Sequence, residues 1–289
     1  MGDGIIPKAV AAIAFGKPRE LGIAEIRAIT QQFARAARLA HRSGFAGIEI
    51  HAAHGYLIDA FLTERTNRRS DAYGGSTEKR AKFLLDIIAA IRSEVPSSFC
   101  VGVTINSVDS QFPEVLADRV RQLELVTSAG VDFIEISGGT FENPLVSFSS
   151  QADCSLFGLT SNNATFLVQM FLGPPKASAM ADANTSDAYF IDFAKIVASK
   201  FPDVPLLLTG GFRRREGIEK AVANGTCSMV GIVRPAAVNP LLPKTVIFNH
   251  EVKDSDATLY SPRIEAPWLI RQMGITALNV HMDNVRNFC

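Results

Sequence analysis

The chain has 289 residues, and its 29 basic side chains balance 29 acidic ones, so its formal net charge is zero. Nucleic-acid-binding proteins usually carry a basic excess, and this balance argues against that class. No run of about 18 apolar residues occurs, which excludes a membrane-spanning helix in the sequence. The four cysteines form no CxxC pair, which argues against a disulfide framework or a zinc knuckle. The first 20 residues lack the pattern of a secretory signal, so we expect a cytoplasmic protein.

Helices and strands are predicted to alternate along the sequence. An amphipathic helix over 23–43 precedes a short buried strand over 47–50. Ser76 is a candidate N-cap for a helix that ends near Glu94, before Pro96. The later predicted strands are 100–105, 132–137, 206–209 and 229–232, and the later predicted helices are 113–129, 186–200, 214–224, 240–248 and 268–273.

This alternation predicts an α/β fold with a parallel sheet and right-handed crossovers. Repeated units without a GxGxxG fingerprint favour a TIM-type (β/α)8 barrel over a dinucleotide-binding fold. Only five strands are predicted here, whereas a closed barrel needs eight. We therefore expect one domain over residues 1–289 that forms an incomplete barrel. Its first strand would be an open edge through which the chain self-associates.

Residues 143–184 do not fit the alternation. Between Leu145 and Met180 the only charged residues are Asp153 and Lys176, whereas average composition would give roughly seven. A structureless stretch of this length is unusual inside a compact domain. Two interpretations stay open: an inserted active-site loop, or sequence foreign to the ancestral fold, such as a translated intron.

The densest group of reactive side chains is His51, His54 and Tyr56, directly after the predicted strand that ends at Ile50. Barrels place their active sites at the carboxyl ends of strands. Imidazoles can donate hydrogen bonds to a carbonyl or phenolate oxygen, and a phenol can deliver a proton. A structural role for both histidines is the alternative. A metal site has less support, because HxxH lacks a third ligand at a recognisable spacing.

A second group of candidate residues follows the last two predicted strands. Gly210 and Gly211 precede Phe212, and Arg234 follows the last strand. Glycines let backbone N–H groups approach a phosphate, and an arginine adds a fixed charge, although a lone Gly-Gly is usually only a turn. We expect Arg214 and Arg215 to be a solvent-exposed helix start. The polar residues 66–76 are interpreted as a loop on the active-site face.

Five segments together resemble the old yellow enzyme family of FMN-dependent NAD(P)H:flavin oxidoreductases, and its fungal branch in particular. The longest and most specific is GFAGIEIHAAHGYLIDAFLTERTNRRSDAYGGSTEKR at 44–80. The others are VGVTINSVDSQ at 101–111, FIEISGGTFE at 133–142, LLLTGGFRRREGIEKAV at 206–222 and MVGIVRP at 229–235. The similarity covers most of the chain but does not extend to residues from about 143 to 184 or to the first few residues.

The resemblance implies an eight-stranded barrel that holds FMN at the carboxyl ends of its strands. NAD(P)H would reduce the flavin, which would then reduce the activated C=C bond of an α,β-unsaturated carbonyl compound, a small-molecule enone. His51 and His54 would hold the substrate carbonyl, and Tyr56 would protonate the α-carbon. The family's FMN phosphate positions fall here on Gly210, Gly211, Phe212, Val233 and Arg234.

Three departures from the family pattern affect the cofactor site. The family's first three strands are not found. Thr104 stands where an Arg or Lys lies beside the flavin N1 and O2, and Val233 stands where Gly is usual. A hydroxyl cannot replace the cation that stabilises anionic reduced flavin. We therefore expect weak or absent FMN binding. A catalytically silent, truncated member or a mis-predicted gene product is the alternative to an ene-reductase, and a metal-dependent hydrolase using His51 and His54 is a third hypothesis.

Overall fold

The structure is a computed structural model that describes residues 18–108, 112–139 and 188–259, together with two short strands at 264–265 and 277–278. The atypical segment 143–184 and the predicted helix at 268–273 lie outside the described residues.

Within the described residues, the predicted helices up to residue 224 and all five predicted strands occur in the predicted order. The structure adds helices at 57–62 and 234–238 and strands at 264–265 and 277–278, which were not predicted. The helices are α1 Ile23–Arg42, α2 Leu57–Leu62, α3 Thr77–Glu94, α4 Pro113–Ser128, α5 Ile191–Lys200, α6 Arg215–Ala223 and α7 Arg234–Val238. The strands are β1 Gly47–Ala52, β2 Cys100–Asn106, β3 Phe133–Ser137, β4 Leu206–Thr209, β5 Met229–Gly231, β6 Ile264–Glu265 and β7 Ala277–Leu278. A π-helical turn covers Pro243–Ile247, where a longer helix over 240–248 was expected.

Strands β1 to β5 form one parallel sheet in chain order, and β6 and β7 form a separate antiparallel pair. Each strand pairs with the next one along the chain, which is the arrangement of a (β/α) barrel. Within the described residues β1 does not pair with β5, so the predicted incomplete barrel is confirmed. Self-association through the β1 edge stays a prediction. No helix in the described part of the chain is long and apolar enough to span a membrane.

The two faces of the sheet differ in polarity because successive strand residues point to opposite faces. One face is apolar and packs with the helices into the core; its fully buried members include Val101, Val103, Ile105, Ile134, Ile136 and Leu208. The other face is polar, and it carries Glu49, His51, Thr104, Asn106, Glu135, Ser137 and Thr209. The sheet therefore presents its chemistry on one face and its packing on the other.

Local sequence signals explain the helix that follows the histidine motif. The side chain of Ser76 accepts a hydrogen bond from the Lys79 N–H, so the predicted N-cap of α3 is confirmed. Helix α3 buries Phe83, Ile87 and Ile91 on the face that packs into the core. Helix α3 packs against α1, α2 and α4, and the short helix α2 lies between β1 and α3 in the sequence.

The expectation of an exposed helix start is wrong for Arg215, although Arg214 is exposed. Only 3% of Arg215 is exposed. Its guanidinium donates to the carbonyl oxygens of Val246, Ile247, Asn249 and Val252 and lies 2.9 Å from Asp254. The loop around the π-helical turn lies over the start of α6. Its backbone carbonyl groups need hydrogen-bond donors there, and the buried Arg215 supplies them.

Candidate active site

His51, His54 and Tyr56 come together at the carboxyl end of β1. The sequence predicted that the strand ends at Ile50 and that His51 is the first loop residue. The strand instead continues to Ala52, so His51 is a strand residue. His54 Nδ1 lies 3.2 Å from His51 Nε2. The rings of His51 and Tyr56 are 5.2 Å apart between centroids. Tyr56 is the N-cap residue of α2 and is 56% exposed, so a ligand on this face can reach its hydroxyl.

His54 is more enclosed than its neighbours. Its Nε2 lies 3.0 Å from the Ser137 hydroxyl at the end of β3. Burial lowers the pKa of His54, and the nearby His51 lowers it further, while the carboxyl groups of Glu135 and Asp59 oppose the shift. A neutral imidazole carries one N–H, so one proton serves the contact between the two rings or the contact with Ser137. A carbonyl oxygen that replaced the inter-ring contact could accept hydrogen bonds from both histidines.

Two buried polar side chains support the loop between His51 and Tyr56. Asp59 on α2 accepts a hydrogen bond from the Gly55 N–H at 2.8 Å, and Asn106 at the end of β2 accepts one from the His54 N–H at 3.2 Å. Asn106 also donates to Asp59 at 2.8 Å. The loop is therefore joined to β2 and α2 through its own backbone amides.

Thr104 lies between two carboxyl groups on the polar face. It is 4% exposed, its hydroxyl contacts the Glu49 carboxyl group, and it lies 2.9 Å from Glu135 Oε2. A hydroxyl has one proton and can donate to only one of these groups. A proton on Glu49 supplies the second hydrogen bond. Among the described side chains, neither carboxyl group forms an ion pair with a lysine or an arginine.

The pKa values of the two carboxyl groups move in opposite directions. Burial, followed by the hydrogen bond and charge of Glu135, raises the pKa of Glu49 to about 7. Burial also raises the pKa of Glu135, but hydrogen bonds, chiefly from Glu49, outweigh it and leave this pKa below its ordinary value. The two groups therefore share one proton up to near-neutral pH, as expected for like charges in contact.

Glu49→Gln should stabilise the protein at pH 8 and have a smaller effect at pH 5. Because the pKa of Glu49 is raised to about 7, its stabilising contribution is present below the ordinary value of 4.5 and is lost as the pH rises through about 7. Glutamine keeps a neutral hydrogen-bonding group at both pH values. Glu135 and Thr104 shield the Glu49 carboxyl group only in part, and much of the residue is open to solvent, so screening limits the expected gain at pH 8 to about 1 kcal/mol, or roughly 2 °C in Tm.

Thermal denaturation at the two pH values measures this effect. Glu219→Gln, on an exposed position of α6, is the matched control and should change Tm equally little at pH 5 and pH 8. A Glu49→Gln variant whose Tm change is the same at both pH values would contradict the shared proton.

The turn after β4 needs glycine at both of its positions. Gly210 and Gly211 have φ values of 127° and 84°. A Cβ atom would lie 2.7 Å from the ring of Phe190 at the first position and 2.8 Å from that of Tyr189 at the second. These two rings pack against the turn, and the Tyr189 hydroxyl accepts a hydrogen bond from Arg213 at 2.9 Å.

The other three residues predicted to contact the FMN phosphate come after the glycine turn in the sequence. Phe212 is buried directly after the glycine turn. Val233 is 65% exposed, and its φ of −97° is available to any residue, so this position does not require glycine. Arg234 begins α7, and its side chain lies outside the described part of the structure.

The fit of FMN differs between the two ends of the site. At the phosphate end, the rings of Phe190 and Tyr189 occupy the space beside the two glycines, so packing alone accounts for glycine at both positions. The buried Thr209 hydroxyl directly before this turn has no hydrogen-bond partner among the described residues. It lies near Glu135 and helps to lower the pKa of that carboxyl group, although the two groups are not in hydrogen-bond geometry. A ligand could satisfy this hydroxyl. At the Thr104 end, two carboxyl groups surround the hydroxyl, and that position supplies no positive charge.

The metal hypothesis gains no support from the described residues. Within residues 18–108, 112–139 and 188–259, no three His, Cys, Asp or Glu side chains gather into a group that could hold a metal ion. His51 and His54 contact each other instead, and His54 also contacts the Ser137 hydroxyl.

Glu49 and Glu135 were not predicted to be site residues. One signal was present: each occupies the middle of a short apolar run, GIEI in β1 and FIEI in β3, where a buried parallel strand usually has no charge. Asp59, Asn106 and Ser137 were also missed, and they carried no comparable signal. In the loop 66–76, the buried Asn67 donates to the carbonyl group of Tyr73 within the loop and to that of Phe61 on α2.

Comparison with known proteins gives the family. The family model for NADH:flavin oxidoreductases and NADH oxidases matches residues 6–155. The NADH-dependent flavin oxidoreductase iliE of Hypocrea jecorina is 80% identical over 288 residues, which cover 100% of this chain and 66% of that protein. The NADH-dependent flavin oxidoreductase iccE of Talaromyces variabilis is 49% identical over 286 residues, or 98% of this chain and 63% of that protein.

A solved structure agrees with this result. A 2-naphthoyl-CoA reductase in complex with 2-naphthoyl-CoA superposes with a TM-score of 0.63 at 25% identity, over 83% of this chain and 32% of that one. The chain thus spans about two thirds or less of the length of the relatives it matches. The match over half of the chain, which includes His51, His54 and Tyr56, shows that it belongs to the NADH:flavin oxidoreductase / NADH oxidase family.

Proposed function

We propose that this chain is the part of an FMN-dependent reductase that holds and protonates an α,β-unsaturated carbonyl compound during reduction of its C=C bond by NAD(P)H. The observation that carries the proposal is the cluster of His51, His54 and Tyr56 at the carboxyl end of β1. Its two imidazoles and one accessible phenol match the needs of an enone, which has one oxygen to polarise and one carbon to protonate.

Each of the three side chains has a distinct role in this reaction. The substrate oxygen would replace the contact between the two imidazoles and accept hydrogen bonds from His51 and His54, which withdraws electrons from the C=C bond. FMN held beside these residues and reduced by NAD(P)H would be the source of the hydride for the β-carbon. The Tyr56 hydroxyl gives its proton to the α-carbon, so that hydride and proton together saturate the bond. The names of both curated relatives favour NADH over NADPH.

The residues that would hold FMN are those of the glycine turn and its surroundings. Gly210, Gly211 and Phe212 would contact the phosphate, and the resemblance adds Val233 and Arg234. Thr104 would face the flavin ring without a positive charge. We therefore infer that this chain binds FMN weakly by itself.

Residues 143–184 are proposed to be an inserted active-site loop. β3 ends at Ser137, whose hydroxyl contacts His54, so the strand that precedes this segment in the sequence ends beside the candidate site. The alignment with the Hypocrea jecorina relative covers 100% of this chain and so includes the segment. This favours an inherited insertion over a translated intron.

A catalytically silent chain is the second candidate, and the carboxyl pair around Thr104 favours it. Two acidic groups disfavour the negative charge that reduced flavin develops. Such a chain would still present the histidine cluster, but it would not accept hydride from NADH.

Anaerobic assays on the purified 289-residue chain with added FMN separate the two candidates. We expect the flavin absorbance to bleach with NADH and to recover when 2-cyclohexenone is added, with the saturated ketone as product. Cyclohexanone, which has no C=C bond, is the control and should not restore the colour. Flavin that remains oxidised in the presence of the protein and NADH would favour the silent chain.

A further inference from the structure

The backbone around His54 has an unusual conformation. His54 has a φ of 61° and Gly55 a φ of 76°, so two successive residues are left-handed. Glycine adopts this conformation freely, whereas other residues rarely do so and need surrounding contacts to hold them there. In the described residues, His54 is the one non-glycine residue with positive φ.

Asp59 and Asn106 provide these contacts. The two amides that the left-handed turn presents, those of His54 and Gly55, donate to Asn106 Oδ1 at 3.2 Å and to Asp59 Oδ2 at 2.8 Å. Asn106 Nδ2 donates to the same Asp59 oxygen at 2.8 Å, which fixes the orientation of the Asn106 amide. Asp59 is 3% exposed and Asn106 is 7% exposed, so water does not compete for these bonds.

The other side of Asp59 is also held in place. Its Oδ1 lies 3.8 Å from the buried guanidinium of Arg119, which donates to Gln122 at 2.9 Å. Gln122 in turn donates to the Leu62 carbonyl at the end of α2. The carboxylate therefore connects α4 and α2 with the turn that carries His54.

We propose that Asp59 and Asn106 are positioning residues, which hold the backbone of His54 so that its ring meets both His51 and Ser137. Their catalytic role rests on the proposed function, but their effect on the His54 ring does not. Neither side chain is hydrogen-bonded to a ring of the cluster; both bind the backbone amides of His54 and Gly55. A change of about 1 Å in the position of a catalytic group can lower a rate by about 10²-fold.

The test compares Asn106→Ser with Asn67→Ser as a matched control. Both asparagines are buried and bind backbone groups, but Asn67 binds the carbonyl groups of Phe61 and Tyr73 and does not contact the histidine turn. The ring nitrogens of His54 are followed by ¹⁵N NMR during a pH titration of the flavin-free chain. His41 on α1 is the internal reference in the same spectra.

In the wild type, we expect His54 to titrate below the ordinary pKa of 6.5, because its ring is buried beside His51. In Asn106→Ser, the turn is released, the ring becomes more exposed, and the His54 pKa should rise towards the ordinary value. Asn67→Ser should lower Tm without moving the His54 titration. An unchanged His54 titration in Asn106→Ser, or an equal shift in Asn67→Ser, would overturn the proposal.

Asp59→Asn provides a second variant in case Asn106→Ser does not fold. It preserves the side-chain volume but can no longer accept bonds on both oxygens. Loss of the Asp59 charge by itself would lower the His54 pKa, so an upward movement of the titration in this variant reports release of the turn, and a titration that moves only downwards would contradict the proposal. In flavin-loaded protein, both variants should lower kcat/KM for enone reduction by about 10- to 100-fold while flavin reduction by NADH stays unchanged. If the wild type reduces no enone, the proposed function fails, yet the NMR titration still decides whether these residues position His54.

Discussion

A Tyr56→Phe variant should reduce enones about 10²- to 10⁴-fold more slowly than the wild type, while NADH reduces its bound flavin at nearly the wild-type rate. A positioned proton donor typically contributes an effect of this size. Only the second half-reaction needs a proton at the α-carbon, and Tyr56 is the accessible hydroxyl beside His51, with 5.2 Å between the ring centroids. Stopped-flow absorbance of the flavin under anaerobic conditions measures the two half-reactions separately.

Tyr73→Phe is the matched control for this experiment. The Tyr73 hydroxyl donates to Asp86 at 2.9 Å, away from the histidine cluster, so its loss should leave both half-reactions unchanged. Equal slowing of the two half-reactions in Tyr56→Phe would reject its role as proton donor.

Thr104→Arg should raise the affinity for FMN by about tenfold or more. A hydrogen bond to a charged group typically contributes about 1.5–3 kcal/mol, and about 1.4 kcal/mol corresponds to a tenfold change in Kd. An arginine at this position would also neutralise Glu49 and Glu135, which now contact the Thr104 hydroxyl without a cation. Because the arginine would also pair with these carboxyl groups, its attraction for the flavin is weakened, and we do not expect FMN to occupy the site fully.

Quenching of flavin fluorescence gives the Kd of the wild type and its variants. Thr104→Met, which adds length without charge, is the control and should not improve binding. Submicromolar binding of FMN by the wild-type chain would contradict the expectation of a weak site. A gain in Thr104→Met equal to that in Thr104→Arg would show that side-chain volume, and not charge, limits binding.

The fold could be predicted in large part because its signals are local. The helical spacing in 23–43 and the cap at Ser76 each depend on a few neighbouring residues, and α1 and α3 form where these patterns place them. The alternation of the two element types then allows few arrangements other than consecutive parallel strands. The helix near 240–248 was predicted too long, because Pro240 and Pro243 lie in its span and the chain there folds over Arg215.

The sequence by itself determined the histidine cluster, since His51, His54 and Tyr56 lie within six residues and one turn brings them together. Only the tertiary structure decided what surrounds them. Glu49 meets Glu135 across Thr104 because the register of β1, β2 and β3 brings three distant residues to one face. Asp59 meets Asn106 because α2 packs against the end of β2. Such contacts depend on register and packing between segments far apart in sequence, and no local pattern of residues encodes them.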